Sequence, residues 1–430
     1  MTRSDEEPMS STGGLRAKVE LLALPDFLKL LCSRAFSIVG DGVTLAALPF
    51  AVLSVTHHAS DVGFVLASGS LALVVGLPFG GHLADRFPRR AVMLIGDWTC
   101  CLCQGTLAFL IIRREAGLLQ MALLYLVYGC GLAVFRPAAG GVVPQLVPAS
   151  RLQQANALLA VAVSGGNLLG PVIGGTIAAV ASPGAAIAVD AGTFGVSALM
   201  ISLLPKLSKP VTDDTRSVLA SLREGWRAVR ARDWLFATVI AGGVFQFFFF
   251  GGLFVLGPVS LAQSGRGTAA WGVLLTLFGL GNLLGGATGL RWQPARILFA
   301  QTLCLLGVAP ALVGLGLNAP IPALAALMVV AGASLSIGGL LWETAMQQHL
   351  PIEVLARAYA FDELGSTALR PAGQSFAGLA ATWVGLSASL VGAGAALVLC
   401  LLALLGVRSV RTLRQHTPET TAAQVAGSRT

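Results

Sequence analysis

Apolar segments long enough to cross a bilayer recur from one end of this chain to the other, and they constrain its fold more than any other feature. A spanning helix needs about 20 predominantly apolar residues. Such segments lie near 27–54, 62–83, 91–112, 118–137, 155–181 and 185–204, and again near 234–262, 268–290, 295–316, 320–345, 362–383 and 386–408. Gly, Pro and charged residues separate them. Charged residues make up 11% of the 430 positions, against about 25% in soluble domains, so there is too little charge to coat a soluble surface. The 55% hydrophobic content also excludes a disordered chain, which needs low hydrophobicity. The expected fold is an all-α polytopic membrane protein, with about twelve transmembrane helices in two pseudo-symmetric bundles.

The pattern divides the chain into a tail (1–26), a first bundle (27–204), a linker (205–233), a second bundle (234–408) and a second tail (409–430). The polar opening segment offers no cleavable signal peptide. In the linker, Leu219, Leu222, Trp226 and Val229 fall at helical spacing with Arg223, Arg227 and Arg230 opposite. This is an amphipathic helix, lying either on an anionic membrane surface or against the bundle. A constant offset carries Gly76, Gly80, Gly81, Arg86 and Phe87 onto Gly281, Gly285, Gly286, Arg291 and Trp292, an internal repeat at the end of the second span of each half.

The net charge of +8 does not point to nucleic acid, because the basic residues are scattered through short loops. Arg86, Arg89, Arg90, Arg151, Arg291, Arg296 and Arg357 join the linker and both tails on one side, against Arg113, Arg114 and Arg266 on the other. The positive-inside rule then puts both termini in the cytoplasm of a multi-pass cell-membrane protein. The seven cysteines fall in apolar runs without metal-ligand spacing and are expected to be small packing residues.

Two motifs carry more specific information. Gly81-His-Leu-Ala-Asp85-Arg86-Phe-Pro-Arg89-Arg90 joins the second and third spans, and Gly166-Asn-Leu-Leu-Gly170-Pro171-Val-Ile-Gly174-Gly175 lies in the fifth. The first resembles the signature loop of the major facilitator superfamily, with Pro88 where that family usually has Gly. The second resembles its antiporter motif, typical of drug and proton exchangers. Pro25-Asp-Phe-Leu-Lys-Leu-Leu, Gly40-Asp41-Gly42, Phe135-Arg136-Pro137-Ala138, Asn156-Ala157-Leu158 and Asp190-Ala-Gly-Thr-Phe194 are similar to the macrolide-efflux and enterobactin-exporter-like branch, the transmembrane secretion effectors. The resemblance implies that Asp85 and its arginines form a latch with Asp362 and Glu363, holding the halves together in the outward-open state. The sequence departs from the pattern twice: Tyr125 stands where the fourth span usually has Arg, and Leu290 replaces the second-half counterpart of Asp85.

A charge at the bilayer centre costs about 2.5–3.5 kcal/mol on insertion scales, so each one is a functional candidate. Asp41, flanked by Gly40 and Gly42, is the leading candidate for proton coupling; its alternative is a structural carboxylate bonded to a neighbouring helix. Asp97 is either a coupling acid or a support for the latch, and Asp190 either an intramembrane acid or a helix-start acid. Glu343 and Arg136 approach span ends, where Arg136 is an anchor or a cavity residue. Arg370, about two turns into the eleventh span, needs either a carboxylate, with Asp41 or Glu343 as the candidate partner, or a polar pathway. Gln246, inside the aromatic run Phe245–Phe250, is a cavity candidate.

The chain has no G-x-x-x-x-G-K-[ST], H-E-x-x-H or G-x-S-x-G, which argues against an ATP-driven pump and against an enzyme. The expectation is a monomeric secondary transporter without cofactor or metal, whose partners are a small-molecule substrate, protons and the lipid bilayer. It exports small amphiphilic molecules, such as drugs, macrolides or siderophores, in exchange for protons by alternating access. The alternatives are a proton-coupled importer and a non-transporting receptor or scaffold on the same fold.

Overall fold

The structure, a computed structural model, describes residues 21–205, 226–227 and 229–415. Most of the amphipathic linker segment and the outer parts of both tails lie outside the described residues. Among the described residues, eleven helices are long and apolar enough to cross a membrane. They are α1 (Pro25–Thr56), α2 (Ala59–Arg86), α3 (Arg89–Arg113), α4 (Leu118–Gly140), α5 (Ala149–Val180), α6 (Pro183–Ser202), α7 (Asp233–Gln263), α8 (Gly267–Gly289), α9 (Ile297–Gly316), α10 (Ile321–His349) and, after the gap left for the next segment, α12 (Leu386–Gly406). The remaining span is broken at Ala368-Leu369 into α11a (Ile352–Thr367) and α11b (Arg370–Val384). The twelve-helix architecture is therefore present, with its eleventh member in two pieces.

Local chemistry explains the helix ends. α1 and α6 begin with Pro at the first turn, where a missing N–H costs nothing. α1 and α3 stop where His57 and Arg114 turn left-handed. Between α2 and α3, Phe87 is extended, as a residue before proline should be, and Pro88 is the N-cap of α3. That accounts for proline in place of the family's glycine. The turn needs no positive φ here, only a helix start.

In lipid there is no hydrophobic drive between helices, so close packing of small residues holds them together. Within the first half α2 packs on α4, and α1 on α5 and α6; within the second, α8 packs on α10. The halves meet through α5 against α8 and α2 against α11b. At the first seam a Cβ on Gly175 would stand 2.9 Å from Gly272 Cα, and Thr276 Oγ1 donates to Leu168 O at 3.0 Å. Large side chains such as Leu102, Val180 and Leu399 point outward, as lipid-facing residues do.

The core is divided asymmetrically. On the face opposite the Arg86–Arg90 turn, one continuous apolar cluster runs through both halves, from Val52, Val62 and Met121 to Leu253, Trp271 and Leu390. On the face that carries the turn there are two separate clusters. One is built around Phe27, Met93 and Phe135, the other around Trp234, Leu298 and Met346. The halves are thus sealed at one face and parted at the other.

Candidate functional site

A cavity of about 840 Å³ fills the space between the parted halves. The first half contributes Asp41, Thr44, Ser70, Tyr125, Tyr128, Arg136 and Asn167; the second contributes Phe254, Phe278, Asn282, Ser336 and Arg370. The lining mixes these polar and charged groups with apolar side chains such as Leu73, Leu132 and Leu275, and convergent polar groups on an apolar wall suit a small-molecule site.

Asp41 is on this wall, brought there by α1. The Tyr128 hydroxyl donates to Asp41 Oδ1 at 2.7 Å. Tyr128 in turn stacks on Tyr125 with ring centroids 5.1 Å apart. Tyr125, at the position where Arg is usual, thus lines the cavity as half of a tyrosine pair. Arg34 and Arg136 are the cations in electrostatic reach of Asp41. Arg136 is exposed on the cavity wall, and Arg34 lies over the Phe135 ring at 5.2 Å.

The other two first-half acids lie behind that wall. Asp190, two turns inside α6 and 0% exposed, is an intramembrane acid and not a helix-start acid. Thr44 Oγ1 donates to its Oδ2 at 2.7 Å and Gln104 Nε2 at 2.6 Å. Thr44 also lines the cavity, so Asp190 is one side chain removed from it. Among the described residues Asp97 makes no salt bridge to the latch. Its Oδ2 accepts from Ser197 Oγ at 2.5 Å. Ser197 receives a hydrogen bond from Ser33 at 2.7 Å, since its own proton is committed to Asp97. A buried carboxylate must be hydrogen-bonded, and α1, α3, α4 and α6 supply hydroxyl and amide donors for all three.

Arg370 lines the central cavity among its polar groups, in place of pairing with a carboxylate. It opens α11b immediately after the break, and its guanidinium lies over the Phe250 ring at 3.7 Å from the centroid. Neither Asp41 nor Glu343 is its partner; an aromatic face takes that role. Phe250 begins a π-helical stretch, Phe250–Leu256, in α7, a winding common at functional sites. Glu343 is exposed on α10, away from the acid network. Gln246 lies outside the central cavity and lines a smaller one inside the second half.

The latch residues are apart in this conformation. Arg89 donates to Gly141 O and Arg90 to Ser202 O, both within the first half. Gly81, Asp85 and Arg86 lie at the end of α2, where Asp85 is exposed and makes no ion pair among the described residues. Asp362 Oδ2 accepts from Trp342 Nε1 at 2.8 Å, and Glu363 is exposed. No ion pair joins the two sets among the described residues. The glycines of the fifth-span motif pack α5 onto α1. A Cβ on Gly166 would stand 2.7 Å from Ile38 Cγ2, and one on Gly170 2.8 Å from Gly42 Cα. Gly174 meets the Val43 backbone, Gly175 meets α8, and Pro171 reaches the cavity.

Sequence reasoning did not single out Tyr128, Gln104, Ser197, Thr44 or Trp342. A signal existed for two of them. Gln104 is an amide in an apolar run, and Tyr125 and Tyr128 are two of the chain's 3 tyrosines, one turn apart.

The family profile described as Major Facilitator Superfamily matches residues 30–361. The chain is 27% identical to the MFS-type transporter YfiS of Bacillus subtilis, over 83% of this chain and 86% of that protein. It is 30% identical to the enterobactin exporter EntS of Shigella boydii, over 93% and 95%. Among solved structures, the nucleoside transporter NupG superposes with TM-score 0.74 at 12% identity, covering 89% of this chain and 99% of that one. A bacterial homologue of the iron transporter ferroportin, in its inward-facing state, superposes with TM-score 0.67 at 16% identity, covering 91% and 98%.

Proposed function

Because the chain belongs to the Major Facilitator Superfamily, and is thereby a multi-pass membrane transporter, we propose that it is a proton-coupled exporter of small amphiphilic molecules. Drugs, macrolides and siderophores are the substrate types in view. The observation that carries this reading is Asp41, a carboxyl group on the cavity wall held by the Tyr128 hydroxyl at 2.7 Å. A carboxyl there has two states. Ionised, it presents a negative charge and two acceptor oxygens to substrate; protonated, it is neutral and one of those oxygens carries the proton. Substrate and proton exclude one another at this atom, which is the requirement for exchange.

The direction of transport is supported by the relatives named enterobactin exporter, which align over nearly their whole length, and by the Gly166–Gly175 motif. With the Arg86–Arg90 face taken as cytoplasmic, both termini are cytoplasmic and the cavity faces inward, the state in which an exporter loads. Rocking about the α5–α8 and α2–α11b seams opens the other face. The Gly81–Arg90 turn then meets Asp362 and Glu363, so the charge-assisted pairing holds the outward-open state. The protein works as a monomer in the cell membrane.

Accumulation of a panel of macrolides and catecholate siderophores in a host lacking its own exporters tests the reading. Cells expressing the wild type should retain less of at least one compound than cells expressing Asp41→Asn. Equal retention of every compound contradicts it.

A further inference from the structure

The chain leaves α12 through a one-turn helix, Arg408–Thr412, and then folds back under the second half. Val410 is fully buried in the apolar cluster around Trp234 and Met346, and Leu413 packs against that cluster. The next residues pair with the segment that leads into α9: Ile297 N donates to Leu413 O and Gln415 N donates to Ala295 O, both at 3.2 Å. The Arg414 carbonyl accepts from His349 Nε2 at 3.1 Å. The result is an antiparallel bridge with Arg296 opposite Arg414.

The two backbone hydrogen bonds flank the arginines instead of joining them, which makes Arg296 and Arg414 a non-hydrogen-bonded pair. In such a pair the Cα atoms approach to about 4.5 Å and the side chains leave on the same face. Like charges directly opposite one another destabilise a strand pair. Yet both arginines are exposed, and neither makes an ion pair among the described residues. Arg291, Arg408 and Arg411 are exposed in the same two segments and equally without one. The sequence brings no acid to them either: it has no Asp or Glu between Asp233 and Glu343 or between Glu363 and Glu419. Residence on the basic side of a membrane asks only for arginines somewhere in these segments. It does not ask for two of them face to face.

The level of the pair in the fold says what meets it. Arg296 immediately precedes α9, and Arg408 comes just after the end of α12. Both helices are long and apolar enough to cross the membrane, so the bridge lies at headgroup depth. Trp292, exposed between Arg291 and Arg296, is a residue type that settles at that interface. We propose that the Arg296–Arg414 pair binds the phosphate of an anionic phospholipid and thereby ties the C-terminal segment to the bilayer. Two guanidinium forks leaving one face match the oxygens of a phosphodiester, and the anion turns a repulsive pair into a bridged one. Arg291, Arg408 and Arg411 strengthen the attraction to an anionic surface. This site is independent of Asp41, of the substrate and of the direction of transport.

The test is native mass spectrometry of the full-length protein in detergent, titrated with phosphatidylglycerol or with phosphatidylcholine of the same acyl chains. Wild type should bind phosphatidylglycerol about tenfold more tightly. Arg296→Gln and Arg414→Gln should each lower that affinity severalfold, and the double variant should lose the preference. Arg113→Gln/Arg114→Gln, which removes equal charge from the opposite face, should keep it. Inorganic phosphate at millimolar concentration should not displace the lipid, because it has no chains to anchor it. Thermal melting checks folding; if the double variant does not fold, the two single variants decide. Equal affinity for both lipids, a preference that survives the Arg296 and Arg414 substitutions, an equal loss in the Arg113/Arg114 variant, or displacement by phosphate overturns the proposal.

Discussion

Tyr128 donates its phenolic hydrogen to Asp41 Oδ1 at 2.7 Å, linking α4 to α1 on the wall of the central cavity. Because Tyr128 is itself clamped, stacked on Tyr125 and edge-on to Phe194 at 5.8 Å, the hydroxyl is held in place before any ligand arrives. The carboxyl group is therefore aimed by its neighbours. Hydrogen bonds to charged groups are worth about 1.5–3 kcal/mol. Tyr128→Phe keeps the ring stack and removes only that bond, so it should lower turnover by about tenfold while leaving folding intact. Initial transport rates and thermal melting of the purified variant check both parts.

Asp190 makes a different prediction, about stability. Replacing it by Ala leaves the buried Thr44 hydroxyl without its acceptor and the Gln104 amide with Thr44 Oγ1 alone. An orphaned donor costs about 1–3 kcal/mol. Asp190→Ala should melt well below wild type in detergent, and Asp190→Asn should lose less because a carbonyl oxygen remains.

The seam between α5 and α8 predicts a conformational defect. A side chain at Gly175 collides with the Gly272 backbone, and overpacking of this kind costs about 1–3 kcal/mol. Gly175→Leu should reach the membrane at wild-type levels yet transport poorly, because the sealed face no longer closes. Spin-label distances across that face should lengthen.

Asp85 is exposed and makes no ion pair among the described residues; the proposed latch gives it a role in the other state. Asp85→Asn should impair transport without removing the protein from the membrane. Unchanged turnover would show that the latch does not form.

For Arg370 the partner is a ring. Arg370→Lys keeps the charge but loses the planar stack over Phe250, an interaction of about 0.5–2 kcal/mol. Phe250→Leu should cost a similar amount. The double variant should be no worse than either single one in a transport-based mutant cycle.

Much of the fold can be read from the residues because bilayer physics acts on single segments: length, hydropathy and flanking arginines mark each span without reference to any neighbour. The same holds for the Gly81–Arg90 and Gly166–Gly175 motifs, which are contiguous in the chain. The site was less legible because it depends on which helix faces which. Asp41 stands out as a charge in an apolar run, but its bond to Tyr128, 87 residues away, has no local signature. Nor does the pairing of Asp97 with Ser197, 100 residues apart. The charge of Arg370 calls for a carboxylate or a polar pathway, and it lines the polar cavity; its seat over a ring depends on the break at Ala368-Leu369 and the π-helical turn at Phe250. Both are irregularities of backbone winding, invisible to hydropathy.

The central claim is that a proton and a substrate compete at Asp41. Substrate uptake into everted membrane vesicles, driven by an imposed acid-inside pH gradient, tests it most directly. The account predicts gradient-dependent accumulation by wild type that collapses when the gradient is dissipated and is absent in Asp41→Asn. Equal gradient-driven accumulation by wild type and Asp41→Asn would contradict it.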